Sequence, residues 1–211
     1  MLLDFTSLVA KYDLKITGIL HLGANLAQEA REYSSLDIHN VVWVEANGDN
    51  IPAIKRAVEP YGHYVIEALI TDVDGDERMF NITNYDSMSS SIFDFGTHPT
   101  FSPDTVFVDH RVLTTSTVDS LMKLHHQTVF SGINMLNMDL QGAEMLALRG
   151  ARNFIKQVDI VMSEVNTAEV YVGCAQLEEL DAFLGDEGFK RVETHMVGNQ
   201  GWGDGLWLRG H

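Results

Sequence analysis

Short runs of aliphatic and β-branched residues alternate along this chain with stretches whose apolar positions recur every three or four residues, the pattern of strands feeding helices in a parallel sheet. Residues 2–12 predict an amphipathic helix, the body of an N-terminal helical segment over residues 1–14. Residues 16–22 predict a first buried strand, followed by a turn and a helix over 28–33. A second strand is expected over 41–45, a helix from about Asn50 to Val58, and a third strand over 64–70. Thr71-Asp-Val-Asp-Gly-Asp-Glu77 carries hairpin-type turn chemistry, with 78–83 as the strand leaving it. Regular structure resumes over 106–113, then a helix over 117–125 capped by Ser116 or Thr117. A fourth core strand over 133–140, a helix opening at 143–148, a fifth strand over 158–165 and a helix over 176–184 follow. Residues 189–194 and 206–208 close the pattern as an antiparallel pair. The expectation is one domain over residues 1–211, an open α/β sheet whose last strands break the alternation.

One stretch fits neither period. From Asn84 to Pro103 the chain is rich in Ser, Asn, Thr and Pro, and an irregular segment of that length inside a compact domain is usually a lid, a binding loop or a disordered segment. Residues 84–105 are therefore the candidate substrate loop. Ser89, Ser90 and Ser91 offer hydroxyl contacts, and Phe93, Phe95 and His98 a stacking face for a sugar. The competing account is a surface loop whose aromatics tuck against the body.

Charge narrows the partners. The 211 residues include 30 acidic and 14 basic ones, a formal net charge of −16, at 45% hydrophobic content. That balance suits one sizeable core and argues against gripping a nucleic-acid backbone or docking on anionic lipid. Cys174 is the single cysteine, so neither a disulfide framework nor a cysteine zinc cluster is expected. No apolar run is long enough to span a bilayer, and residues 1–4 lack the basic start of a signal peptide. A cytoplasmic protein without nucleic-acid or membrane partners is the expectation; oligomeric state is left open.

In open α/β sheets ligands bind beyond the carboxyl ends of the strands, so residues just after each strand matter most. Gly23, in His21-Leu-Gly-Ala-Asn25, permits a tight turn and close backbone approach, although a glycine at such a corner is commonly structural. The third glycine of a dinucleotide fingerprint is absent, with Ala27 near its place. Glu45 ends the second strand 22 positions beyond Gly23, placed to accept hydrogen bonds from ribose hydroxyls. Together these features indicate an adenosine-type cofactor without separating NAD from S-adenosylmethionine. Asp139 and Glu164 lie at the ends of the fourth and fifth strands, positioned to act as a general base or to hold a divalent metal such as Mg; solvated strand ends are an equal alternative. Glu144 falls where it would cap a helix. His125 and His126 complement a helix end, the 9 methionines read as core filler, and Cys174 as an idle thiol. His195, Trp202 and Asp204 flank the last turn, where they close a pocket or simply belong to a hairpin loop.

The order His21-Leu-Gly-Ala-Asn25, Val44-Glu-Ala-Asn47, Ala68-Leu-Ile-Thr-Asp72-Val-Asp-Gly75, Ser89-Ser-Ser91, Thr115-Ser-Thr-Val-Asp119-Ser-Leu121, Asp139-Leu-Gln-Gly-Ala-Glu144 and Ser163-Glu164 resembles the FkbM family of S-adenosylmethionine-dependent methyltransferases. The similarity runs from about Gly18 to Arg209, and the Asp139 to Glu144 segment followed by Leu148-Arg-Gly150-Ala is its most specific part. The resemblance implies a Rossmann-like class I methyltransferase fold: a seven-stranded, mostly parallel sheet with a terminal antiparallel strand and helices on both faces. It implies methyl transfer to oxygen, often a hydroxyl of a sugar or polyketide-type product. Gly23, Ala24 and Asn25 would hold the amino-acid end of the cofactor, Glu45 and Ala46 its ribose side, and residues 68–72, including Leu69 and Asp72, its adenine. His21 and Asp139 complete the implied cofactor set. Two positions depart from the family: His21 stands where an acidic residue is usual, and Gln141 where Glu is common. Gln141 joins Ser89, Ser90 and Ser91 as an expected substrate contact. The functional expectation is an O-methyltransferase acting on a small-molecule or glycan hydroxyl. A non-catalytic binding domain of the same fold and, further off, an NAD-dependent oxidoreductase are the rivals.

Overall fold

In the computed structural model, which describes residues 2–84, 86–125 and 129–210, the chain begins with α1 (Phe5–Tyr12). Asp4 caps this helix by accepting from the Ser7 amide at 3.0 Å. β1 (Ile19–Leu22), α2 (Ala30–Ser35), β2 (Val41–Glu45), α3 (Ile51–Val58) and β3 (Tyr64–Glu67) follow. A short β4 (Leu69–Ile70) leads to β5 (Glu77–Thr83) and β6 (Phe107–Ser116), then to α4 (Val118–Leu124), capped by Thr117. β7 (Met135–Met138), α5 (Glu144–Arg149), β8 (Ile160–Asn166), α6 (Leu177–Asp186), β9 (Phe189–Met196) and β10 (Trp202–Arg209) complete the order. Met1, Tyr85 of the expected substrate loop and His126 lie outside the described residues.

Seven strands form one sheet in the order β3-β2-β1-β7-β8-β10-β9. β3, β2, β1, β7 and β8 run parallel, and β10 runs antiparallel between β8 and β9. The order reverses between β1 and β7, the crevice where such sheets bind ligands. Side-chain alternation within each strand divides the interior into two cores. Leu20, Leu22, Val42, Val44, Leu136, Met138 and Val161 face Val118 and Leu121 of α4, Leu148 of α5 and Leu180 of α6. Ile19, Val41, Trp43, Met135 and Met162 face Phe5 of α1, Tyr33 of α2 and Ile54 of α3. Helices therefore cover both faces, and truncating any of these buried aliphatic side chains to alanine costs roughly 2–5 kcal/mol.

The expected third strand, residues 64–70, is two strands. β3 pairs with β2 as far as Glu67 opposite Glu45, where β2 ends. With no partner left there, Leu69 and Ile70 pair instead with Thr115 and Ser116 of β6 in a separate three-stranded sheet, β4-β6-β5. The β5–β6 connection is also more ordered than its composition suggests. Isolated bridges Asn81↔Ser91 and Phe95↔Tyr171 run through it, and His98–Thr100 forms a 3-10 turn.

Candidate active site

The crevice is built by close backbone contact. Gly23 adopts φ +82° and a Cβ there would overlap the Asp139 carbonyl oxygen and stand 2.8 Å from its carbon, so the exits of β1 and β7 touch only because residue 23 has no side chain. The Gly23 and Ala24 amides both donate to Val44 O, at 2.9 and 3.0 Å. Glu45 then clamps the corner: its Oε2 accepts from the Asn25 amide and its Oε1 from the Asn47 amide, both at 2.7 Å. Burial pushes the Glu45 carboxyl up to about 7, against the amides of Asn47, Asn25 and Ala46, which pull it down.

His21 is a core residue whose ring borders the crevice floor. It stacks on Trp43 at 4.5 Å, and its Nδ1 lies 3.2 Å from both Tyr33 Oη and Asn137 Nδ2. Burial drives its pKa down to about 3, so the imidazole is neutral.

Asp139 and Glu164 come together across Gln141. The Gln141 Nε2 donates to Asp139 Oδ1 and to Glu164 Oε2, the latter at 2.7 Å, while its Oε1 accepts from the Tyr171 hydroxyl. Burial, the nearby charges of Asp139 and Glu144, and a hydrogen bond with Asp139 push Glu164 well above the carboxylate range. Glu144 serves the loop itself, accepting from the amides of Leu140 at 2.8 Å and Gly142 at 3.3 Å, with burial raising it to about 7. Asp204, opposite Glu164 on β10, accepts from the amides of Leu2 and Leu3, which draws the N-terminal segment over this edge. Among the described residues no group of three or more His, Cys, Asp or Glu gathers as a metal site.

These groups line a cavity of about 680 Å³, within the range that encloses a cofactor-sized ligand. Its lining includes His21, Gly23, Ala24, Asn25, Glu45, Ala46 and Leu69, together with Asp139, Gln141 and Glu164. Ser89, Ser90, His98, Phe101, Tyr171 and Trp202 also line it. The described lining contains Glu29, Glu45, Asp139, Glu164 and Asp204 but neither Lys nor Arg. Such a surface favours a cationic ligand and disfavours a pyrophosphate. A sulfonium nucleoside fits that charge, and Glu45 keeps lone pairs for ribose hydroxyls after accepting from two amides.

The candidate loop is pinned at both ends of the cavity. Asn25 Nδ2 donates to Asp86 O and Asn50 Nδ2 to Ser87 Oγ, at 2.8 and 2.9 Å. Farther on, the Gly96 amide donates to Val170 O and the Thr97 amide to Glu169 O. Phe95 is used in packing, stacked on His98 at 4.4 Å and Phe107 at 4.2 Å.

Two expected site residues are not brought to the wall. Ser91 is buried, with its hydroxyl donating to Gln141 O at 2.8 Å, so it shapes the Gln141 loop. Asp72 follows β4 away from the main sheet and is absent from the described lining, as is His195. Cys174 is buried, and burial raises its thiol pKa. His125 ends α4 and lies 3.5 Å from Tyr64 Oη. Sequence reasoning missed Tyr171 and Phe101, whose only signal is an aromatic residue in a loop.

A Methyltransferase FkbM domain model matches residues 21–191. Among solved structures, the chain is similar to Streptococcus pneumoniae Sp1610, described as a tRNA (m1A22) methyltransferase, in complex with S-adenosyl-L-methionine: TM-score 0.52, 14% identity, covering 100% of this chain and 74% of that one. It is also similar to magnesium protoporphyrin IX methyltransferase from Synechocystis PCC 6803 with bound SAM: TM-score 0.53, 10% identity, covering 97% and 75%. At these identities the likeness is one of fold. A comparison with curated proteins gives no match.

Proposed function

The chain belongs to the FkbM methyltransferase family and is an S-adenosylmethionine-dependent methyltransferase, and from that premise we propose that it methylates a hydroxyl of a small-molecule or glycan acceptor, a sugar being favoured. The observation that carries the cofactor side is the cavity at the β1–β7 crevice, lined by carboxylates and, among its described residues, by no Lys or Arg. On the acceptor side, support comes from a wall that mixes Ser89 and Ser90 hydroxyls with the rings of His98, Phe101, Tyr171 and Trp202, a surface suited to a hydroxylated ring. The family's FkbM description and the fold leave the acceptor to the site.

S-adenosylmethionine supplies a methyl group on a positively charged sulfur. In the proposed roles Gly23, Ala24 and Asn25 hold its amino-acid end, Glu45 with Ala46 its ribose side, and Leu69 the adenine wall; Asp72, which is not among the described lining, is given no role. Asp139 is the general base: its carboxylate takes the acceptor's hydroxyl proton, readying the oxygen for the methyl group that the cofactor would supply, its sulfur leaving as a neutral thioether. Glu164, joined to Asp139 through the Gln141 amide, steadies it. Positioning supplies most of the rate, and the pinned loop over 84–105 excludes water. The net charge of −16 and the single cysteine support a cytoplasmic enzyme whose partner is neither nucleic acid nor membrane. Among the described residues no helix is long and apolar enough to cross a membrane.

Calorimetric titration with S-adenosylmethionine, S-adenosylhomocysteine and NAD tests the reading. Binding of the first two without the third is expected; binding of NAD alone overturns it. Turnover of any hydroxyl acceptor excludes a binding-only domain.

A further inference from the structure

Gln141 is placed unlike an ordinary pocket-lining amide. Both hydrogens of Nε2 are committed, one to Asp139 Oδ1 and one to Glu164 Oε2 at 2.7 Å, and Oε1 is turned the other way onto the Tyr171 hydroxyl. Flipping the amide would set its oxygen against two carboxyl groups, so the neighbours fix its orientation. The main chain is held as firmly. Gln141 sits at φ +53°, in the left-handed region, and its carbonyl accepts from Ser91 Oγ at 2.8 Å. Gly142 follows at φ +100°, where a Cβ would meet Cys174 Cβ and Tyr171 Cβ at 3.0 and 3.1 Å. Tyr171 is itself buried, packed with Val170 and Cys174.

We propose that Gln141 is a positioning residue whose amide joins Asp139 to Glu164 in the place a divalent cation would occupy, so that this acid pair operates without a metal. The inference rests on reading the cavity as the methyl-transfer site, and it assigns Gln141 a role toward the enzyme's own carboxyls in place of the expected contact with substrate. A cation bridging two carboxyls needs lone pairs free of donors. Here N–H groups point into that space, and the one oxygen that would serve as a third ligand faces Tyr171. An amide also joins the pair without adding charge to a region that already holds Glu144 and Asp204.

The test compares wild-type protein with Gln141→Glu and with the double variant Gln141→Glu/Asp139→Asn, using manganese ion as the probe, followed by electron paramagnetic resonance. Wild type is expected to take up no manganese that depends on Asp139, and its affinity for S-adenosylmethionine is expected to ignore magnesium ion and chelator alike. Gln141→Glu places a third carboxylate where the amide was and is expected to bind manganese at least about tenfold more tightly, a gain lost again in the double variant. Should Gln141→Glu fail to fold, Gln141→Ala removes the amide without adding charge and is expected to admit manganese weakly between the freed carboxyls. Manganese binding in wild type that Asp139→Asn abolishes overturns the proposal. So does a folded Gln141 variant that gains no ion. The manganese measurements stand without the nucleoside, so wild type that ignores S-adenosylmethionine defeats the functional reading while the bridge is still judged separately.

Discussion

The carbonyl oxygen of Asp139 occupies the space in which a side chain on residue 23 would begin, so Gly23 and Asp139 fix the distance between the two central strand exits. Gly23→Ala adds a Cβ at φ +82° against main-chain atoms that cannot rotate away. We expect a loss of at least ~2 kcal/mol in denaturant unfolding and no calorimetric signal with S-adenosylmethionine. Unchanged binding would show that the crevice is not the cofactor's seat.

Glu45 gives the site a pH signature. Its folded pKa of about 7 exceeds the ordinary glutamate value of 4.5, so its stabilising contribution is complete below about 4.5 and is lost as pH rises through about 7. The stability of wild type relative to Glu45→Gln should therefore fall across that window. A sulfonium and ribose hydroxyls both favour the ionised carboxylate, so affinity for S-adenosylmethionine should rise through the same window and release protons. Glu45→Gln should bind at least about tenfold more weakly, with a flattened profile, because its amide nitrogen would face the Asn25 or Asn47 amide. Calorimetry in buffers of different ionisation enthalpy reads both effects.

Asp139→Asn removes the proposed base while keeping the shape. Turnover of whichever acceptor is accepted should drop about 10²–10⁴-fold, with cofactor affinity changed less than about tenfold. Full activity in this variant would rule Asp139 out.

Asn166 ends β8 two residues past Glu164, with Nδ2 and Oδ1 both buried and without a hydrogen-bond partner among the described residues. Asn166→Leu should raise unfolding stability by about 1 kcal/mol, since an unpaired buried amide is replaced by an apolar group of similar size. Thermal or denaturant unfolding decides, and a loss of stability would mean that the amide is paired in solution.

Gly96 lets the candidate loop lie on the β8–α6 connection; a Cβ there would overlap Glu169 O. Gly96→Val should lift the loop, raising KM for the acceptor about tenfold while leaving cofactor affinity within about threefold. Equal weakening of both would mean that the loop serves the whole cavity.

The central strands were legible because they depend on local patterns. Short aliphatic and β-branched runs mark β1, β2, β7 and β8, which are buried at every position, and the spacing from Gly23 to Glu45 reflects one β-α-β unit. The split of the expected third strand was not legible, because β2 ends at Glu45 and the chain after Glu67 passes into a second sheet. Ser89, Ser90 and Ser91 are equivalent in sequence; the bridge from Ser91 to Asn81 is what turns the last inward. Tyr171 and the orientation of Gln141 were illegible, since each is set by packing between segments far apart in the chain.

The small β4-β6-β5 sheet lends Leu69, Ile70 and Phe80 to the cavity lining, and the connection between β5 and β6 lends Ser89, Ser90, His98 and Phe101. This sheet and its connection thus contribute to the seats proposed for both ligands. Whichever molecule arrives first stiffens a frame that its partner would otherwise have to order, so the two should bind with positive cooperativity and in a preferred sequence.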